Sequence, residues 1–454
     1  MASALKQYPG INSVAVIGNY LPRRCGIATF TTDLVEGLSA QAPDMKIWAA
    51  AINDRPEGYL YPDKVRFEIS QNKLSDYGMA SQFLNIRQTD IISVQHEYGL
   101  FGGPAGGHLL KLLGDLRMPV VTTLHTVLKD PAPDYRDVMC RLSELSDKLV
   151  VMSHEASVFL KEIYAVPEDK IAFIHHGIVD TPFIDPSFNK DKFDVEGKKV
   201  LLTFGLLSPN KGIENVLRAL PAVIEKHPDV VYIVLGATHP HILKSHGDAY
   251  RIMLQQLVRE LDLAAHVKFQ NRFVEQKELW EFLGVADIYV TPYLNEAQIT
   301  SGTLAYAMGA GKAIISTPYW YATEMLAEDR GRLVPFDDPD AMAKGSDALG
   351  ELLNIVGGAL LADWFGVDGE FEMGVVGHLD FPAVGGIDTP FHRDVAPYGR
   401  RPGIAPAKTQ PAFLGATGHT KTLPHINNGH GNGGLNDRET GSHAFANGSL
   451  DFAL

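Results

Sequence analysis

Short apolar runs rich in β-branched residues recur along this chain, and helical patterns fill most of the intervals between them. Val14–Ile17, Ile47–Ile52, Ile91–Val94, Val120–Leu124, Leu149–Met152 and Ile171–Ile174 form one series. Val200–Gly205, Val230–Gly236, Val267–Phe269, Ile288–Val290, Ala313–Ser316 and Leu333–Val334 form a second. Runs this short and this continuously apolar suit strands buried on both faces. Their alternation with helical stretches such as Gly107–Leu116, Ser153–Tyr164, Gly212–Lys226 and Tyr250–Leu261 predicts parallel, doubly wound α/β sheets. Two series predict two domains, 1–180 and 200–345, enclosing a cleft. The segment 181–199 between them carries Pro182, Pro186 and the charged run 189–194, and reads as a linker.

Composition narrows the function classes. A chain of 454 residues exceeds one ordinary domain. A formal net charge of −14 argues against a nucleic-acid binder or a polybasic membrane anchor. Cys25 and Cys140 are the only cysteines, too few for a disulfide framework or a cysteine metal site. Val14–Ile17 follows a polar leader without a signal-peptide layout, and no apolar run reaches about 18 residues, so a cytoplasmic location and no transmembrane segment are expected. After about Lys344, glycine, proline, histidine and asparagine dominate, as in His425–Gly434. Residues 346–454 therefore read as an irregular, low-complexity, disordered tail. A reading-frame shift near Lys344 would give the same change, and translating the coding DNA in its other frames separates the two.

In doubly wound sheets ligands bind outside the carboxyl ends of the strands. Those ends carry Gln95-His96-Glu97-Tyr98, His125, Ser153-His154 and His175-His176. Most of these histidines read as structural. They lack a local ligand spacing such as HxxxH, so no metal is expected, and one or two suit a catalytic or positioning role. The loop after Val14–Ile17 ends in Arg23-Arg24-Cys25-Gly26 before a helix with Ile27, Phe30, Leu34 and Leu38 on one side. Two arginines beside a helix start fit an anion, or an ordinary charged surface. In the stretch Tyr293–Ile315, Leu304, Ala307 and Met308 give a short helix its apolar stripe, and Gly309 and Gly311 end it. Thr300, Ser301, Gly302 and Thr303 then stand at its N-terminus, where they serve either as a plain cap or as a phosphate cradle.

Four pieces of the second half, in order, resemble family-4 (group 1) retaining glycosyltransferases. They are Phe204-Gly205-Leu206-Leu207-Ser208-Pro209-Asn210-Lys211-Gly212, Val230–Gly236, the stretch Tyr293–Ile315, and Ser316–Asp340 with Glu324, Gly331-Arg332-Leu333-Val334-Pro335 and Asp337. The resemblance extends over roughly Ser13–Ala343. It implies the GT-B fold, two Rossmann-like parallel-sheet domains facing a cleft. It also implies transfer of a hexose from a nucleotide-diphosphate sugar to a saccharide or other hydroxyl acceptor with retention, with no cofactor or metal. Lys211, Gly205, Thr300, Ser301, Gly302 and Thr303 match the family's donor-diphosphate positions, and Gly26 matches the glycine facing them across the cleft. His125 matches the histidine beside the transferred sugar, and Glu97 is the candidate acceptor contact or base.

The departures from the family pattern are specific. Leu206 stands where the family has an arginine beside the lysine, and Arg23, Arg24 or Arg272 are the available substitutes. Gln298 and Tyr306 stand at the two glutamates of the Glu-x7-Glu signature. Gln298 keeps a hydrogen-bonding reach toward a sugar, and a subgroup of the family is similar in carrying Gln-Ile-Thr-Ser-Gly-Thr-Leu. These departures leave two alternatives open: a catalytically silent sugar-nucleotide binding protein, and a GT-B-like sugar-nucleotide epimerase. The family's closing helix has one counterpart here, Glu351–Phe365.

Overall fold

A computed structural model describes residues 11–87, 89–179 and 185–347. All but the first two residues of the expected tail, and residues 181–184 of the expected linker, lie outside the described residues. The first half forms β1 (Ser13–Gly18), β2 (Lys46–Asn53), β3 (Val65–Ser70), β4 (Ile91–His96), β5 (Val120–Leu124), β6 (Lys148–Val151) and β7 (Ile171–Phe173). They make one parallel sheet in the order β3-β2-β1-β4-β5-β6-β7. The second half forms β8 (Lys199–Phe204), β9 (Val230–Leu235), β10 (Val267–Gln270), β11 (Ile288–Thr291), β12 (Ala313–Ser316) and β13 (Arg332–Leu333). Their parallel sheet runs β10-β9-β8-β11-β12-β13.

Each sheet lies between two apolar layers, which is why its central strands are apolar without alternation. In β1, Ala15 and Ile17 join one layer while Val14 and Val16 join the other. In β8, Val200, Leu202 and Phe204 face one layer and Leu201 the opposite one. Strand β3 escaped the sequence pattern for the same reason in reverse. It is an edge strand whose Arg66 and Glu68 are exposed, so it lacks a continuous apolar run.

Strand order reverses between β1 and β4 and between β8 and β11. The loops leaving those strands diverge and open a crevice at each reversal. In the second sheet the loops after β8 and β9 touch through backbone. Gly205 has φ +133° and Gly236 φ +152°, and a Cβ on Gly236 would stand 1.7 Å from the Gly205 carbonyl oxygen. Only glycine accepts both that conformation and that approach.

The two halves are packed together through the described residues. Ile299, from the loop after β11, is buried in the core of the first half. Trp320 meets Phe159 edge-to-face at 5.1 Å. The Glu324 carboxylate accepts from the backbone N–H of His154 at 2.9 Å, at the start of the helix His154–Glu162. A carboxylate there satisfies unpaired helix donors and complements the helix dipole. The expected linker is no free tether where it is described. Val195 is wholly buried, and Lys190 forms a buried ion pair with Asp287 at 2.7 Å. Its charged composition hid this docking, because a lysine reads as solvated until its partner is known.

Substituting Gly236→Ala is expected to cost at least about 2 kcal/mol, from backbone strain and the clash with Gly205. A thermal melt reads this as a fall in Tm of roughly 4–8 °C, and an unchanged Tm would contradict the close approach.

Candidate functional site

The carboxyl edge of the second sheet gathers Lys211, Tyr293, Ser301 and Thr303 into one network. After β8 the chain makes a 3-10 turn, Pro209–Lys211, closed by Gly212 at φ +60°. That turn buries Lys211 and sets its ammonium 3.8 Å from the centre of the Tyr293 ring. Tyr293, just past β11, pairs through its hydroxyl with Thr303 Oγ1 at 2.8 Å, and Thr303 Oγ1 lies 3.2 Å from Ser301 Oγ. Burial alone would raise the Tyr293 phenol, but the charge and hydrogen bond of Lys211 draw it below the ordinary tyrosine range.

Ser301 caps the helix Gly302–Gly309, accepting from the Leu304 N–H at 3.3 Å. Gly302 and Thr303 thus begin a helix whose N-terminus is linked to Lys211 through Tyr293, and Thr300 is buried just before it. Ser208 Oγ and Gln298 Oε1 are among the buried polar atoms here that have no hydrogen-bond partner among the described residues. Ser208 is 0% and Gln298 1% exposed. Leaving such atoms unpaired costs about 1–3 kcal/mol each, so each calls for a partner that a ligand can supply. Gln298 also donates through Nε2 to the Thr300 carbonyl at 3.3 Å, which fixes its amide.

The carboxyl edge of the first sheet carries the histidines. The ring of His125 meets Phe30 edge-to-face at 4.6 Å, and its Nε2 lies 3.1 Å from Gln95 Oε1. With the amide oxygen accepting, Nε2 carries the proton. Burial, then the neighbouring His176 and His96, push the His125 pKa well below its usual value, so the ring is neutral. Glu97 is buried and accepts from Thr126 Oγ1 at 2.6 Å. Among the described residues no cluster of three or more histidine, cysteine or carboxylate side chains could hold a metal ion.

Between the halves lies a cavity of about 890 Å³. Its walls include Arg24, Gly26, Tyr59 and Tyr98 from the first half and Leu206 and His239 from the second. Of the sequence-predicted site residues, Gly26 and the candidate cations Arg23 and Arg24 stand on that wall. Lys211, Gln298, His125 and Glu97 are buried and are not part of its lining. Arg272 is elsewhere engaged, with its guanidinium held by both oxygens of Glu278. Sequence reasoning missed the loop Gly99–Gly103, which also lines the cavity. The cluster of glycines at 99, 102, 103, 106 and 107 was the available signal.

A second omission is a contact across the halves. Asp33, on the helix Gly26–Gln41, accepts from Gln276 Nε2 at 3.0 Å and from the Tyr306 hydroxyl at 3.4 Å. Tyr306 is wholly buried, with Trp280 edge-to-face at 5.0 Å. A glutamate at position 306 would set a second carboxylate against Asp33, whereas a phenol donates to it. The tyrosine is therefore matched to its neighbour in this chain.

Residues 185–352 match the family model described as glycosyl transferases group 1, and residues 25–182 match that of glycosyltransferase family 4. A phosphatidyl-myo-inositol mannosyltransferase of Mycolicibacterium smegmatis is 30% identical over 154 residues, 34% of this chain and 36% of that protein. A D-inositol 3-phosphate glycosyltransferase of Corynebacterium glutamicum is 27% identical over 266 residues, 54% of this chain and 60% of that one. The chain thus spans little more than a third of the first relative's length and less than two thirds of the second's. An Anabaena protein crystallised with UDP and glucose superposes with a TM-score of 0.59 at 15% identity, over 76% of this chain and 92% of that one. The fold is GT-B: two Rossmann-like sheets facing a cleft.

Burial is the main force raising the Asp33 carboxyl to about 7; the bonds from Gln276 and Tyr306 oppose it, and Glu36 adds to it. Its folded pKa lies above the unfolded value near 4, so this site is most stabilising below about pH 4 and loses that contribution as pH rises through 7. The Tm of Asp33→Asn relative to the unsubstituted protein is therefore expected to climb from pH 4 to pH 8. A difference that stays constant across that range would refute the assignment.

Proposed function

We propose that this chain, which belongs to the group 1 glycosyltransferases, moves a hexose from a nucleoside-diphosphate sugar to a saccharide or other hydroxyl acceptor with retention at the anomeric carbon. The observation that carries the proposal is the pair of unpartnered buried atoms, Ser208 Oγ and Gln298 Oε1, on the same loops as Lys211 and the helix N-terminus at Ser301. Hydroxyl, amide, ammonium and backbone N–H groups together suit a sugar and a diphosphate.

In the proposed step the bond from the anomeric carbon to the diphosphate oxygen breaks as the acceptor oxygen bonds to the same face. The acceptor's proton passes to the departing diphosphate oxygen, so no separate protein base is needed. Lys211 and the N–H groups of Gly302 and Thr303 stabilise the charge that builds on the diphosphate. Gly205 and Gly26 leave room for it on either side. Gln298 holds a sugar hydroxyl. His125, neutral and oriented by Gln95, faces the sugar as a hydrogen-bonding wall, and Glu97 positions the acceptor. Protein donors stabilise the leaving group in this scheme without a metal or cofactor. No helix among the described residues is long and apolar enough to cross a membrane, and a cytoplasmic setting, where sugar nucleotides are plentiful, fits the proposal.

The contact from Tyr306 to Asp33 favours a second reading, a sugar-nucleotide binding protein without turnover, because it occupies a side chain position that the family gives to a glutamate. The test begins with a panel of nucleoside-diphosphate sugars screened by thermal shift, since a bound ligand raises Tm by mass action. The stabilising donor is then assayed for turnover against saccharide acceptors, and alone to detect epimerisation. Lys211→Ala is expected to lower transfer by about 10²-fold or more with the fold retained by circular dichroism. Unchanged turnover in that variant would overturn the donor-site assignment, and donor binding without product would establish the binding-protein reading.

A further inference from the structure

The cavity between the halves has an unbalanced charge inventory. A sugar diphosphate carries a negative charge on each phosphoryl group, and among the described residues the donor loops of the second half offer one ammonium, Lys211, which is buried against Tyr293 and is not part of the cavity lining. The adjoining wall residue on that side is Leu206, apolar and 4% exposed. Three arginines and one carboxylate from the first half line the same cavity: Arg23, Arg24, Arg55 and Asp54. Arg23 is buried and spent on structure, donating to Asn19 Oδ1 at 2.9 Å and the Ile52 carbonyl at 3.1 Å, with Asp54 at 3.3 Å. Arg55 donates to the Gly58 carbonyl at 2.7 Å and stacks on Tyr59 at 3.8 Å. Arg24 is exposed into the cavity and makes no hydrogen bond or ion pair among the described residues.

Arg24 stands two residues before Gly26, at the mouth of the helix Gly26–Gln41, on the wall that also holds Leu206 and His239. Its neighbour Cys25 caps that helix, accepting from the Ala28 N–H and from Asn19 Nδ2 at 3.1 Å, so the backbone carrying Arg24 is fixed. A fixed backbone with an unengaged guanidinium suits a planar, bidentate grip on phosphoryl oxygens.

We propose that Arg24 is a donor-binding residue: it reaches across the cleft and supplies the second diphosphate cation that Leu206 cannot. The donor's diphosphate is then clamped between Lys211 of one half and Arg24 of the other, so donor binding and domain closure are coupled. The inference rests on the nucleotide-sugar reading above and adds to it the residue that closes the charge balance.

The experiment measures binding of UDP, GDP and ADP, and of their monophosphates, by calorimetry to the full chain and to Arg24→Ala, Arg24→Lys and the double variant Arg24→Ala/Leu206→Arg. For whichever diphosphate the unsubstituted protein binds, Arg24→Ala is expected to weaken binding by about 10- to 100-fold, the loss of one charge-assisted contact. The monophosphate should change far less, Arg24→Lys should retain part of the affinity, and Leu206→Arg should restore much of it. Arg24→Ala should keep its Tm, since the side chain has no partner to lose. Diphosphate binding that is unchanged in Arg24→Ala, or a defect confined to the acceptor KM, overturns the role of Arg24 and leaves the transferase proposal standing. Failure of the unsubstituted protein to bind any of the nucleotides or turn over any sugar nucleotide overturns both.

Discussion

A parallel strand can be followed by its neighbour only through a crossover that returns the chain to the starting edge. Every strand of both sheets therefore points its carboxyl end the same way within its sheet, and the crossover loops collect there. Strand order reverses at β1/β4 and at β8/β11, and the loops on either side of each reversal part. Lys211, Tyr293 and the helix beginning at Gly302 meet at the second reversal because of that constraint. His125, Gln95 and Glu97 follow the first for the same reason.

What joins the halves is a small set of unlike contacts. Ile299 supplies apolar burial in the opposite core. Glu324 supplies a carboxylate to the helix dipole at His154. Asp33 supplies a carboxyl to Gln276 and Tyr306. The contacts of Glu324 and Asp33 are polar and directional, so they constrain angle as well as distance, and Asp33 holds a carboxyl whose pKa has moved toward neutrality. The position of Tyr306 is matched locally to its neighbour across the halves. A donor phenol replaces an acid where a second acid would face Asp33.

Much of the fold was legible in the residues because double-sided burial writes itself as unbroken apolar runs. Twelve such runs marked strands, and the helix from Gly302 to Gly309 ended where Gly309 and Gly311 had been read as its stop. Strand β3 was not legible, because an edge strand with Arg66 and Glu68 facing water has no such run. The charged segment after Pro186 looked like a solvated tether, yet Lys190 is buried against Asp287, nearly a hundred residues away.

The sequence by itself determined the class of fold, the order of the strands along the chain and the local chemistry of each loop. It did so because burial, helix stops and caps depend on near neighbours. Only the tertiary structure decided which loops meet. It set Lys211 against Tyr293, left Ser208 Oγ and Gln298 Oε1 without a hydrogen-bond partner among the described residues, and brought Asp33 to Tyr306. It also separated three arginines on one cavity wall into two that are engaged and one, Arg24, that makes no hydrogen bond or ion pair among the described residues. Residue type fixes what a side chain can bond, but whether its capacity is already used depends on partners distant in the chain.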